Sequence, residues 1–169
     1  MGAIRLLDEL TANRIAAGEV VERPASVAKE LMENSLDAGA TAITLEIRDG
    51  GISYLRVTDN GSGIAEEDCR LAFERHATSK IRSGDDLTRI QSLGFRGEAL
   101  PSIASVSKVE LTTRVKEADS GVRLLLSAGQ IEDVRAAGCP YGTSFVVKDL
   151  FFNTPARRKF LKKPAAETA

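Results

Sequence analysis

Residues 24–59 read PASVAKELMENSLDAGATAITLEIRDGGISYLRVTD, and this stretch decides the fold. Pro24 stands where a first-turn proline is tolerated and Gly39 where a left-handed C-terminal cap is common, so the spacing predicts a helix over Pro24 to Gly39. Val27, Ala28, Leu31, Met32, Ser35 and Leu36 fall on one face at the helical period. The period then switches to two. Ile43, Leu45 and Ile47 alternate, Asp49-Gly50-Gly51 supplies a turn, and a second extended run follows from Ile52 to Thr58. Two such runs across a short turn predict an antiparallel hairpin.

Working outward, Glu66 to Arg75 reads as a second helix. Residues 76–97 are polar, with Thr78, Ser79, Lys80, Ser83, Gly84, Asp85 and Asp86, and so long a stretch with little apolar content predicts a functional lid or mobile loop. Gly97 to Val106 is a third helix, with Pro101 near its first turn. Strands are predicted over Lys108–Val115, Val122–Ser127, Ile131–Arg135 and Ser144–Leu150, and a last helix over Pro155 to Lys163. There is no internal repeat. Helices come early and strands late, with hairpins among them, which predicts an α+β sandwich and not a doubly wound parallel sheet.

Composition narrows the function classes. The chain has 169 residues, with 23 Lys+Arg against 24 Asp+Glu and a formal net charge of -1. At 43% hydrophobic and 28% charged it is ordinary globular material. The balance gives no global electrostatic reason for tight nucleic-acid binding, though a local patch can supply one. No apolar run approaches the ~18 residues of a membrane span, and Met1-Gly2-Ala3-Ile4-Arg5-Leu6 has neither a signal-peptide core nor a myristoylation pattern. One histidine and two unclustered cysteines, Cys69 and Cys139, argue against zinc chemistry and for a reduced, cytoplasmic setting.

Three polar clusters lie at element ends, where sites are built. Glu30, Asn34 and Asp37, spaced i, i+4, i+7, share a stripe bordering the apolar face of the first helix. A carboxylate there suits a general base, and an amide one turn away suits Mg²⁺; a solvated helix edge with a capping Asp fits the same pattern. Asp59-Asn60-Gly61-Ser62-Gly63-Ile64 follows a strand directly. Its carboxylate can accept from an exocyclic amine and its glycines permit close approach, yet the composition is also that of a turn. Leu93-Gly94-Phe95-Arg96-Gly97-Glu98-Ala99-Leu100 leads into a helix whose free amides suit phosphate, or is a plain loop-to-helix junction.

Taken in order, Glu-x-x-x-Asn, Asp-x-Gly-x-Gly, a Gly-rich lid and Gly142-Thr143 resemble the superfamily of gyrase, the ninety-kilodalton heat-shock chaperones, histidine kinases and MutL. Residues 15–24 (IAAGEVVERP), 33–40 (ENSLDAGA), 75–80 (RHATSK), 94–100 (GFRGEAL) and 149–161 (DLFFNTPARRKFL) are similar to the bacterial MutL family of DNA mismatch repair. The resemblance implies a layer of helices on a mixed, mostly antiparallel sheet. It implies Glu30 as general base for ATP hydrolysis, Asn34 as Mg²⁺ ligand, and Asp59 as acceptor of the adenine amine with Gly63 beside the base. Thr143 would support the adenine end, and Asp37 and Ala38 would join the nucleotide site. Thr78, Ser79, Lys80 and Gly94 to Leu100, namely Gly94, Phe95, Arg96, Gly97, Glu98, Ala99 and Leu100, would form a lid over ribose and phosphates.

ATP and Mg²⁺ are the implied ligands; DNA, mismatch-repair proteins and a nucleotide-dependent second copy are the implied partners, with no membrane. The family continues into a second domain that donates a lysine to the γ-phosphate and ends in a dimerisation domain, nucleolytic in some members. The expectation is that residues 1–154 form the ATP-binding domain and 155–169 a basic terminal helix leading to a second domain not present here, with weak or absent turnover. A non-hydrolysing nucleotide-gated interaction module and a histidine-kinase-like phosphotransfer domain are the alternatives. His76 has no dyad partner nearby and reads as structural. Arg157, Arg158, Lys159, Lys162 and Lys163 form either a duplex-binding edge or a solvated helix.

Overall fold

The computed structural model describes residues 4–8, 11–12, 15, 17–18, 21–74 and 99–169. Its six strands are β1 (Ile43–Arg48), β2 (Tyr54–Asp59), β3 (Lys108–Arg114), β4 (Gly121–Ser127), β5 (Gln130–Ala137) and β6 (Gly142–Lys148). They form one sheet in the order β1-β2-β6-β3-β4-β5. All five pairings are antiparallel. The last strand lies in the middle, between β2 and β3, and so joins the early hairpin to the later meander.

Helices α1 (Pro24–Asp37), α2 (Glu66–Cys69) and α3 (Ala99–Ser105) pack on one face of the sheet; α4 (Pro155–Lys159) and α5 (Pro164–Thr168) follow the last strand. The strand period of two makes that face apolar. Leu55 and Val57 of β2, Val109 and Leu111 of β3, Leu124 and Leu126 of β4, and Phe145 and Val147 of β6 are all buried there. They meet Val27 and Leu31 of α1 and Ile103 of α3 in one core cluster. Burying each such side chain contributes about 1.5–3 kcal/mol. The α+β sandwich of helices on a sheet is therefore present, and the sheet is antiparallel throughout the described residues.

Several boundaries differ from the sequence reading. Helix α1 ends at Asp37, with Ala38 as cap and Gly39 at φ +75°. Its expected apolar face is only half covered: Met32 and Leu36 are exposed, at 37% and 54%. Leu45 and Ile47 of β1 are exposed too, because β1 is the edge strand and the sheet supplies it one neighbour. The helix expected over Glu66 to Arg75 is a single α-turn followed by a 3₁₀ turn, Leu71–Phe73, which the extended backbone of Glu74 ends. Cys69 and Phe73 anchor these two turns in the core. The helix expected over Pro155 to Lys163 stops at Lys159, and a second begins at Pro164. Pro164 disfavours helical backbone in the residue before it, and Lys163 is extended at ψ 151°.

Candidate functional site

Three neighbouring strands bring polar residues to one end of the sheet. Asp59, the last residue of β2, lies opposite Thr143 of β6, and Thr143 lies opposite Thr113 of β3. Asp59 shares the parity of Leu55 and Val57, so it points toward the helices. Helix α1 meets it there. Ser35 Oγ lies 2.7 Å from Asp59 Oδ2 and 3.1 Å from the carbonyl of Leu31. A hydroxyl has one proton, and the charged, nearer acceptor takes it. The amide of Gly61 donates to Asp59 Oδ1 at 2.9 Å. The carboxylate is thus held through both oxygens, each with acceptor capacity left over.

Thr113, buried at 1% exposure, links the neighbouring strand ends. Its Oγ1 accepts from the Ile64 amide at 2.9 Å, donates toward the Gly142 carbonyl at 3.0 Å, and lies 2.9 Å from Thr143 Oγ1. The amide of Ser62 donates to the carbonyl of Ala38 at 2.9 Å, joining the turn after β2 to the end of α1. Two glycines make this compactness possible. Gly63 and Gly142 have φ of +72° and +114°, and a Cβ on either would collide with backbone, of Arg114 and Asp59 respectively. The closeness read from the Asp-x-Gly-x-Gly pattern is therefore, at Gly63, closeness to the protein's own chain. Asn60 turns away: its Oδ1 accepts from the amides of Thr41 and Ala42 at 2.8 and 3.0 Å, fixing the entry to β1.

Glu30, Asn34 and Asp37 follow one another along α1 as the spacing predicts. All three are half-buried and all have interaction partners. Ala99 and Leu100 open α3, half-buried. Thr78, Ser79, Lys80, Gly94, Phe95, Arg96, Gly97 and Glu98, with His76, lie outside the described residues. The site residues in view are therefore Asp59, Gly63 and Thr143 at the strand ends, with Asp37 and Ala38 at the adjoining end of α1 and Asn34 and Glu30 one and two turns back along it.

Sequence reasoning missed two residues. In the sequence Ser35 reads as part of the apolar face and of the 33–40 motif with no role of its own, and Thr113 reads only as a strand residue. The available signal for Thr113 was its parity: it continues the buried set Val109 and Leu111, so its hydroxyl needs an internal partner. Among the basic residues near the end of the chain, Arg157 is half-buried. Its Nη2 donates to the carbonyl of Val21 at 2.7 Å, and its guanidinium stacks on the Phe151 ring at 4.9 Å. Arg158, Lys159, Lys162 and Lys163 are exposed. Cys69 is buried; desolvation and then Glu66, Asp68 and Glu67 push its thiol up to about 11, which leaves it unreactive at neutral pH. Among the described residues no cluster of three or more His, Cys, Asp or Glu could hold a metal by itself.

Comparison with known proteins supplies the family. The family described as Histidine kinase-, DNA gyrase B-, and HSP90-like ATPase matches residues 22–140. The chain is 62% identical, over 99% of its length, to the DNA mismatch repair protein MutL of Caldanaerobacter subterraneus, and 60% identical over its whole length to that of Desulforamulus reducens. It spans 28% and 26% of those proteins. The Aquifex aeolicus MutL ATPase domain complexed with ADP superposes with a TM-score of 0.68 at 41% identity, over 88% of this chain and 51% of that one. With residues 22–140 matched, the chain belongs to the histidine kinase-, DNA gyrase B- and HSP90-like ATPase family, and within it is similar to the MutL ATPase domains.

Proposed function

We propose that this chain binds and hydrolyses ATP as the nucleotide-handling part of a mismatch-repair protein, with the adenine read by Asp59 and the reaction carried out along α1. The observation that carries the reading is the Asp59 carboxylate, held through both oxygens at a strand end beside Thr143, with the Glu30–Asn34 stripe on the adjoining helix. An ionised carboxylate fixed in this way presents acceptors only, which suits the 6-amino group of adenine. The Aquifex relative was solved with ADP.

In this reading Glu30 takes a proton from the attacking water, and the freed oxygen attacks the γ-phosphorus as the bond to the β–γ bridging oxygen breaks. Glu30 and Asn34 stand one helical turn apart, about 5–6 Å between Cβ atoms, which leaves room for a water between Glu30 and a phosphate near Asn34. The donor chemistry of Asn34 fits Mg²⁺: an amide oxygen is a hard ligand, and Mg²⁺ takes few protein ligands beside substrate phosphates and water. When bound, the ion would neutralise charge developing on the phosphate oxygens. The residues at 78–80 and 94–100 are proposed to close over ribose and phosphates.

For the parent protein we propose DNA and mismatch-repair proteins as partners, pairing with a second copy in the ATP state, and work in the cytoplasm. No helix among the described residues is long and apolar enough to cross a membrane. The test is ATP titration beside single-turnover hydrolysis on the same sample. Binding with slow turnover is expected. Binding without turnover would leave a nucleotide-gated interaction module, and no binding would end the reading.

A further inference from the structure

We infer that Ser35 is a positioning residue for base recognition: its hydroxyl fixes the plane of the Asp59 carboxylate and so sets the preference for a 6-amino over a 6-oxo purine. The inference rests on the proposed nucleotide reading and adds to it the residue that makes Asp59 selective. Ser35 is 2% exposed, on α1, and its Oγ is 2.7 Å from Asp59 Oδ2. A serine inside a helix ordinarily returns its proton to the carbonyl four residues back. Here that carbonyl, of Leu31, is 3.1 Å away, and the carboxylate is nearer and charged.

The second donor to Asp59, the Gly61 amide, holds only Oδ1. Rotation of a carboxylate about its Cβ–Cγ bond is soft, with a broad torsional minimum. One donor on each oxygen fixes that rotation; Gly61 alone leaves it loose. With the plane fixed, a remaining lone pair meets an incoming amine in constant geometry, and an incoming carbonyl oxygen meets it as one acceptor against another. With the plane loose, both effects weaken. A hydroxyl that served only to tie α1 to β2 would act on stability and treat the two bases alike.

The experiment is titration calorimetry of ADP and of inosine diphosphate, with Mg²⁺, on the unaltered chain and on Ser35→Ala, Ser35→Cys and Ser35→Thr. The alanine variant is expected to weaken ADP about tenfold, as for a lost hydrogen bond to a charged group, and inosine diphosphate less than about twofold. Cysteine keeps the volume and offers a poor donor, so it should behave as alanine does, and it carries the test if alanine fails to fold. Threonine keeps the hydroxyl and should retain the ADP preference. An unchanged ADP to inosine diphosphate ratio in a folded alanine or cysteine variant would overturn the role of Ser35 while leaving the nucleotide reading standing. Failure of the unaltered chain to bind ADP would overturn that reading, and the inference with it.

Discussion

On the helix-covered face of the sheet, Asp59 is held by Ser35 and Gly61 and still has acceptor capacity to offer. On the open face arginines pair with neighbouring carboxylates and hydroxyls. Arg56 Nε donates to Thr58 and Ser144 hydroxyls at 3.1 Å and its Nη1 lies 3.6 Å from Glu46; Arg123 Nε lies 3.0 Å from Glu110. The open face also carries a concavity, a groove of about 330 Å³ between Tyr54, Arg56, Glu110, Tyr141 and Lys148 that reaches Asp59 and Thr143 from behind. The proposed site is on the other face, with a fixed carboxylate, backbone brought close by glycine and, on the adjoining helix, Glu30 and Asn34.

The contrast is most sharply broken at Glu30. Glu30→Ala should lower single-turnover ATP hydrolysis by about 10²–10⁴-fold and leave ATP affinity nearly unaltered, since the proposed role touches the attacking water and not the nucleotide. Loss of affinity equal to the loss of rate would make Glu30 a binding or folding residue. Asp59→Asn comes next. An amide can turn a donor toward the adenine amine, and removing the charged hydrogen bond should weaken ADP by on the order of tenfold to a hundredfold; an unchanged dissociation constant would reduce Asp59 to a turn residue.

Smaller effects sharpen the same contrast. Gly142→Ala places a Cβ against the Asp59 carbonyl at φ +114° and should cost about 1–3 kcal/mol in urea unfolding, measured without nucleotide. Full stability would show that the strand end tolerates a side chain and is not fixed by this contact. Arg56→Ala, on the open face, should leave ADP affinity where it was and change stability by about 0–1 kcal/mol, as exposed ion pairs do. A marked loss of ADP affinity in this variant would move the site to the groove.

Much of this was legible in residues 24–59. The change of period at Gly39 fixed a helix followed by a hairpin, and the strand parity of Leu55 and Val57 follows from it. The polar positions Glu30, Asn34 and Asp59 were legible because polar residues bordering an apolar pattern stand out. The exposure of Leu45 and Ile47 was not, because strand order is long-range: alternation tells which face is apolar and not which strand lies at the edge. The break at Glu74 was not legible either, since Cys69 and Phe73 are held by tertiary packing. Ser35 and Thr113 escaped for a related reason. Their partners lie 24 and up to 49 positions away in sequence, and a buried hydroxyl shows its purpose only when the acceptor across the core is known.

The most direct test of the central claim is to map ADP onto the ¹⁵N-labelled chain by amide chemical shifts. The predicted result is that the largest changes fall at Asp59, Gly61, Gly63, Ile64, Gly142 and Thr143, with Tyr54, Arg56 and Lys148 nearly still. Changes centred on Tyr54, Arg56 and Lys148, with the strand-end amides unmoved, would contradict it.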